Sequence, residues 1–261
     1  MIVQSTPGGL LLFRQADHAR LTGEFAASLR DPPAPPSAFI AAARLHDNGW
    51  IESDADPLLD PATGIPYSFR HMPGWHYRDL WRRGIDRAVA MDPHVGLLVS
   101  LHGMQFFGRK ADPEDKQFYE SERERQTRLL QELGYEGTGY DLPEPIHLQF
   151  EWLRFLDGLS LFICDAWESP WEVDLEGHDT FVVEGGDGHV TVDPWPFAVP
   201  SIPFRVPCRR LSAPRFDSLE KLRQAYAAAP VELLVGEVRA PGGTGGDRRK
   251  ASSTPRAMGG P

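Results

Sequence analysis

Three histidines and two aspartates stand on or beside helical faces that are otherwise apolar. His18 shares a helical face with Leu21, Phe25 and Leu29. His46, followed at once by Asp47, shares one with Phe39, Ala42, Ala43 and Trp50, and His102 follows Val95, Leu98 and Val99. Asp157 lies among Phe150, Leu153, Leu161 and Cys164, in the most apolar helix of the chain. A buried carboxylate without a cation is costly, so Asp157 needs a positive partner. Arg154, one turn away at i−3, is one source. A metal ion shared by several buried His and Asp groups is the other. Taken singly, these residues read as core histidines, a chance doublet and an ion-paired aspartate; their order along the chain favours metal binding. A nitrogen and oxygen donor set without thiolate suits one or two ions of Mn, Fe, Co, Ni or Mg. Such a site lowers the pKa of bound water and polarises a phosphoryl oxygen.

The order His18, then His46-Asp47 in RLHDNGW, then Asp157 in FLDGLSLFIC resembles the HD superfamily of metal-dependent phosphohydrolases. The Asp-x-Leu-Ser string at Asp157 is similar to that superfamily's last ligand segment, which favours Asp157 over Asp165. The resemblance implies a helical core that brings these four residues around one metal, with further His ligands where a second ion binds. His102 is the first choice for that role, because ligands on rigid elements hold geometry best. His76 is the second and His71 the third, while His94, His147, His178 and His189 are assigned to the surface or the β layer. The long interval between Asp47 and Asp157 departs from compact HD domains. The chain is also similar to a bacterial family of unknown function that carries His-Asp-Asn-Gly-Trp and a C-terminal Trp-Pro-Phe, here Trp195-Pro196-Phe197. That resemblance covers most of residues 1–235 and implies no established activity.

Around the doublet, Asp47 is the expected catalytic carboxylate and bridge, with Asn48 and Glu52, or Asp54, as a neighbouring polar partner or general base. Arg78, Arg82 and Lys110, with Arg70, Arg83 and Arg109, concentrate positive charge that suits phosphate oxygens, or else form a solvated basic face. Trp50, Trp75, Tyr77 and Trp81 read as packing residues or as a stacking wall.

The elements that must position these residues follow from period and punctuation. Residues 2–6 and 10–14 flank Pro7-Gly8-Gly9 as a β-hairpin. Helices are expected over 15–29, from Ser37 through His46, and over 79–91, 94–107, 113–133 and 146–166, with Asp112-Pro113 opening the charged one. Short β-branched runs at 181–183, 190–192, 204–206 and 231–235 read as strands, with one helix near 218–228. The expected fold is mainly α, an HD-like helical bundle, with a small β layer from the N-terminal hairpin and C-terminal strands. The expected division is a hairpin over 1–14, a helical metal-binding core over 15–167, a β-rich subdomain over 168–240 and a disordered tail over 241–261.

With 261 residues, 41% hydrophobic and 25% charged, the chain has globular composition and enough length for a sizeable core. Its formal charge of −10 argues against nucleic-acid binding. Two cysteines exclude a disulfide framework and a thiolate zinc site, and fit a reducing compartment. No run is apolar enough to span a bilayer and the start lacks signal-peptide features, so a cytoplasmic protein is expected, with a homodimer as one option. The functional expectation is a metal-dependent hydrolase of a small phosphate ester or nucleotide. The alternatives are a di-iron oxygenase on the same scaffold and a non-catalytic binding module.

Overall fold

The computed structural model describes residues 1–108, 112–186 and 188–242. The hairpin β1 (Ile2–Thr6) and β2 (Gly9–Phe13) leads into α1 (Gln15–Ser28) and α2 (Pro36–Leu45). A 3-10 turn over Asn48–Trp50 joins α2 to α3 (Ile51–Ala55); α4 (Gly74–Met91), α5 (Pro93–Met104), α6 (Pro113–Glu132) and α7 (Glu144–Cys164) complete the helical part. Then come β3 (Trp171–Val173), β4 (Phe181–Gly186), β5 (His189–Asp193), β6 (Ser201–Leu211), α8 (Leu219–Ala228) and β7 (Val231–Arg239).

All seven strands join one sheet in the order β1-β2-β6-β7-β5-β4-β3. Neighbours are antiparallel except for β5 and β7, which run parallel. With 47% helix and 21% strand in one mixed, curled sheet, the fold is α+β, and the expectation of a mainly helical bundle with a small β layer is overturned. The reason is visible in β6 and β3. Pro203 and Pro207 read as strand breakers, yet they lie where β6 has only β7 beside it, because β2 pairs with residues 208–211 alone. A missing N–H there leaves no second ladder unmade. Trp171–Val173 is too short to show a period.

Helix α7 explains the layering. It touches α1, α2 and α5 on one side, and on the other Phe155 packs on Phe181 with ring centroids 4.5 Å apart. Gly158 admits Trp171 of β3, whose ring would meet any Cβ there. A helix sandwiched between helices and sheet must be apolar over most of its surface, as α7 is apart from an outer strip that carries His147, Glu151 and Arg154. One core runs continuously from Ile2 and Phe13 through the helices to Val206 and Val238. A smaller one under α8 gathers Leu10, Leu12, Leu211 and Leu222 on the opposite sheet face.

Starts and stops follow local chemistry. The Asp92 carboxylate caps α5 by accepting from the His94 and Val95 N–H groups, and Asp112 caps α6 in the same way. Helix α4 opens at Gly74 rather than near residue 79. The Trp-Pro-Phe segment closes the far end of α1: Arg30 N–H donates to the Pro196 carbonyl, Ala198 N–H to that of Ser28, and Phe197 packs on Phe25. Of the expected disordered tail over 241–261, residues 243–261 lie outside the described residues.

Candidate metal centre

Helices α1, α2, α5 and α7 each deliver one part of the cluster. His18 comes from α1, His46 from the C-terminal cap of α2 with Asp47 just beyond it, His102 from α5 and Asp157 from α7. All five are buried, the three histidines to 2% exposure or less. His18 Nε2 stands 2.8 Å from Asp47 Oδ2 and its Nδ1 stands 3.7 Å from Asp157 Oδ1. His46 Nε2 is 3.2 Å from Asp157 Oδ1 and 3.6 Å from Asp47 Oδ2, and His102 Nε2 is 3.8 Å from Asp157 Oδ2. Donor atoms of His18, His46 and Asp157, and those of His46, Asp47 and His102, fall within 4.8 Å of one another. The two triads share His46.

Surrounding groups set which ring nitrogen faces inward. His46 Nδ1–H donates to the Ala43 carbonyl at 2.8 Å, so the neutral ring turns the Nε2 lone pair toward the two carboxylates. That nitrogen and Asp157 Oδ1 are both buried without an aligned hydrogen bond among the described residues, although only 3.2 Å apart. On the other side, the Ser160 hydroxyl donates to the Asp157 carbonyl at 2.9 Å. Its oxygen therefore accepts from His18 Nδ1 at 2.8 Å and from the Thr22 hydroxyl at 2.9 Å. This leaves His18 Nε2 as the coordinating nitrogen. Gln105 instead donates its amide to His102 Nδ1 at 3.1 Å, which places the neutral ring's proton on Nε2. His102 joins a metal through Nε2 only if Gln105 turns its amide, so it is the most loosely prepared of the donors.

The electrostatics express the same crowding of lone pairs. Burial opposes a charge on His46, yet the Asp47 and Asp157 carboxylates outweigh it and raise the imidazole to about 9. Burial, together with the nearby His46 cation, drives His102 down to about 4. Burial would raise both carboxyls, but His46 and its neighbours hold Asp47 and Asp157 below the usual carboxylate range. A proton on His46 is thus the cation that the metal-free cluster recruits. Arg154 does not serve, because it pairs with Glu151.

The turn after the doublet is a clamp. Asn48 Nδ2 donates to the Leu45 and Gly84 carbonyls, and Gly49 lies so close to α4 that a Cβ would run into the Leu80 carbonyl oxygen. Asn48 therefore pins the end of α2 to α4, and does not face the cluster as an acid or base. Glu52 is an exposed partner of Arg87. Asp54 is buried, but its carboxylate accepts from the Gln15 N–H at the start of α1.

Other expected site residues lie apart from the five. His76 is half-buried beside the Ser53 hydroxyl, and His71 pairs with Ser68 at the surface. Arg78 is held by Asp115 and Glu114, Arg82 is an exposed partner of Asp79, and Asp165 pairs with Arg70. Lys110 and Arg109 lie outside the described residues. His94, assigned to the surface, is buried in α5 against the Gln149 amide oxygen at 2.7 Å. An apolar helix face hides one more histidine than the ligand order requires.

The cluster opens on a small cavity of about 20 Å³, room for about one water-sized group. Besides the cluster, Gln15, Trp50, Phe69, Tyr77, Trp81 and Phe106 wall it. Tyr77 meets Trp50 and Trp81 edge to face at 5.8 and 6.1 Å, and Gly103 lets Trp81 lie flat enough to reach His102. Sequence reading missed Ser160, Thr22, Gln105 and Gln15; only Ser160, three residues after Asp157 in the same string, carried a signal.

A family model described as a protein of unknown function (DUF3891) matches residues 1–213. No curated protein and no solved structure matches the chain.

Proposed function

The chain belongs to this family of proteins of unknown function (DUF3891), and from its buried cluster we propose that it is an HD-type metal-dependent hydrolase holding one divalent transition metal. The observation that carries the reading is the pair His46 Nε2 and Asp157 Oδ1. These two buried atoms stand 3.2 Å apart without an aligned hydrogen bond, so only a proton on His46 or a cation between them relieves the facing lone pairs, and Asp47 and His18 stand beside them. A metal would satisfy these lone pairs together, and buried groups of this kind are stable only when satisfied. His18, His46, Asp47 and Asp157 would hold it, with His102 available as a fifth donor. The donor set fits Mn, Fe, Co or Ni.

Such an ion, when bound, lowers the pKa of a coordinated water and polarises a substrate oxygen. The chain's own residues do the rest. Ser160 and Ala43 lock the ring tautomers of His18 and His46, and the aromatic wall excludes bulk water. The expectation of a phosphorylated substrate rested on the ligand order together with the cationic cluster that includes Arg78, Arg82 and Lys110. Since Arg78 and Arg82 are engaged by carboxylates and do not wall the cavity, the hydrolase is proposed for a compact substrate, with no phosphate clamp among the described residues. Nothing beyond the five donors supplies ligands for a second ion among the described residues, which favours the hydrolase over the di-iron alternative.

The test is metal content by mass spectrometry on protein purified without chelator or a polyhistidine tag, beside an Asp47→Ala variant, followed by assay of the loaded protein on a panel of small esters, amides and phosphate esters. About one equivalent of metal, lost in the variant, with turnover on the panel supports the reading. No metal after reloading would overturn it in favour of a non-catalytic module.

A further inference from the structure

Three buried polar atoms of the residues that wall the cavity lie outside everything the metal reading uses. Trp50 is 2% and Trp81 3% exposed, and neither indole N–H has an acceptor among the described residues; Gln15 is 3% exposed and its amide oxygen has no donor there. All three residues wall the cavity that the metal cluster opens on. A buried donor or acceptor left unmade costs roughly 1–3 kcal/mol, and unmet donors and an unmet acceptor in one cavity point to an occupant that offers both. The rest of that wall adds no charge beyond the cluster. Phe69, Tyr77, Phe106 and Leu161 complete it, and no Arg or Lys is among the described residues that line it. With Asp47 and Asp157 compensated by a divalent ion, the cavity is close to neutral overall. An anion with several charges would lose its hydration there without finding a cation other than the metal.

We propose that the pocket over the cluster receives the head of a small uncharged molecule that accepts a hydrogen bond from Trp50 Nε1–H and donates one to Gln15 Oε1, as a primary carboxamide or an alcohol does. The cavity of about 20 Å³ holds about one water-sized group, so only the polar tip of that head enters it and the remainder of the ligand lies toward the aromatic rim. This inference rests on the hydrolase reading and narrows its substrate class.

Trp50 supplies a direct probe. The indole N–H resonances of zinc-loaded full-length protein are recorded by NMR, with the Trp50 signal identified by its loss in Trp50→Phe. Acetamide, ethylene glycol and inorganic phosphate are then titrated in turn, into metal-free protein as well. Acetamide or ethylene glycol is expected to shift the Trp50 signal saturably, while phosphate leaves it in place. Saturation by acetamide rather than ethylene glycol assigns an amide head, and the reverse assigns a hydroxyl. Gln15→Leu, with zinc content unchanged, should weaken the preferred probe about fivefold to tenfold. A Trp50 signal that answers phosphate more readily than either neutral probe, or that answers none of them, overturns the proposal. Loss of zinc binding is read separately by metal analysis and counts against the hydrolase, since the titration of metal-free protein still reports on Trp50.

Discussion

At the residue scale the centre is a competition for lone pairs, and its consequences are measurable. In metal-free protein His46 keeps a proton up to about pH 9, and a metal must displace it to reach Nε2. Apparent metal affinity is therefore expected to rise by about tenfold per pH unit through neutrality and level off above pH 9; titration with a competing chelator at several pH values measures it. The linked stability has a definite sign. A folded-state pKa raised above the ordinary 6.5 of histidine stabilises fully below about pH 6.5 and is lost as pH climbs toward 9. Melts of metal-free protein should show that loss, and His46→Ala should abolish it. Because Gln105 holds His102 in the other tautomer, His102→Ala should weaken metal binding far less than Asp157→Ala, which should reduce it at least about 100-fold. Equal losses in the two variants would refute the ranking.

At the element scale, the clamp between the doublet and α4 sets where His46 and Asp47 stand. A methyl at Gly49 meets the Leu80 carbonyl oxygen and the Gly84 backbone, so Gly49→Ala must push α4 from the turn. The expected destabilisation is roughly 3 kcal/mol, read by urea denaturation, with metal affinity falling alongside because two ligands move. Ser160→Ala is the quieter counterpart. It removes the acceptor that orients His18 and should lower metal affinity about 10-fold while the melting temperature of metal-free protein changes little. A large loss of fold stability would instead mark Ser160 as a packing residue.

For the molecule as a whole, the donors belong to four helices whose mutual positions are fixed by one continuous core spanning helices and sheet. An ion that binds only the folded state ties those helices together. At about 100 times its dissociation constant it adds roughly 2.7 kcal/mol, or about 5–10 °C in melting temperature for a chain of this size. Differential scanning fluorimetry with Mn²⁺ or Fe²⁺ measures the shift, and Mg²⁺ should give less because the donor set is half nitrogen. Across the described residues no helix is long and apolar enough to cross a membrane.

What the amino-acid order determined by itself was which polar side chains of the helices turn inward. His18, His46, Asp47, His102 and Asp157 were legible because charged groups on apolar helical faces must be inward, and an inward charge demands a partner. Helix existence was legible for the same periodic reason, as was the Asp112-Pro113 start of α6. Tertiary structure alone decided the rest. Arg78 and Arg82 looked like phosphate binders until the fold set Asp115, Glu114 and Asp79 beside them, because pairing partners distant in sequence leave no local trace. Asn48 looked like chemistry and proved to be a clamp, since its carbonyl partner at Gly84 comes from another helix. The seven-stranded sheet escaped a reading by period because proline in β6 is harmless only where a neighbouring strand is missing, a fact that belongs to the sheet. The unsatisfied indole of Trp50 and amide of Gln15 are of the same kind: a polar atom is unmatched only relative to everything folded around it.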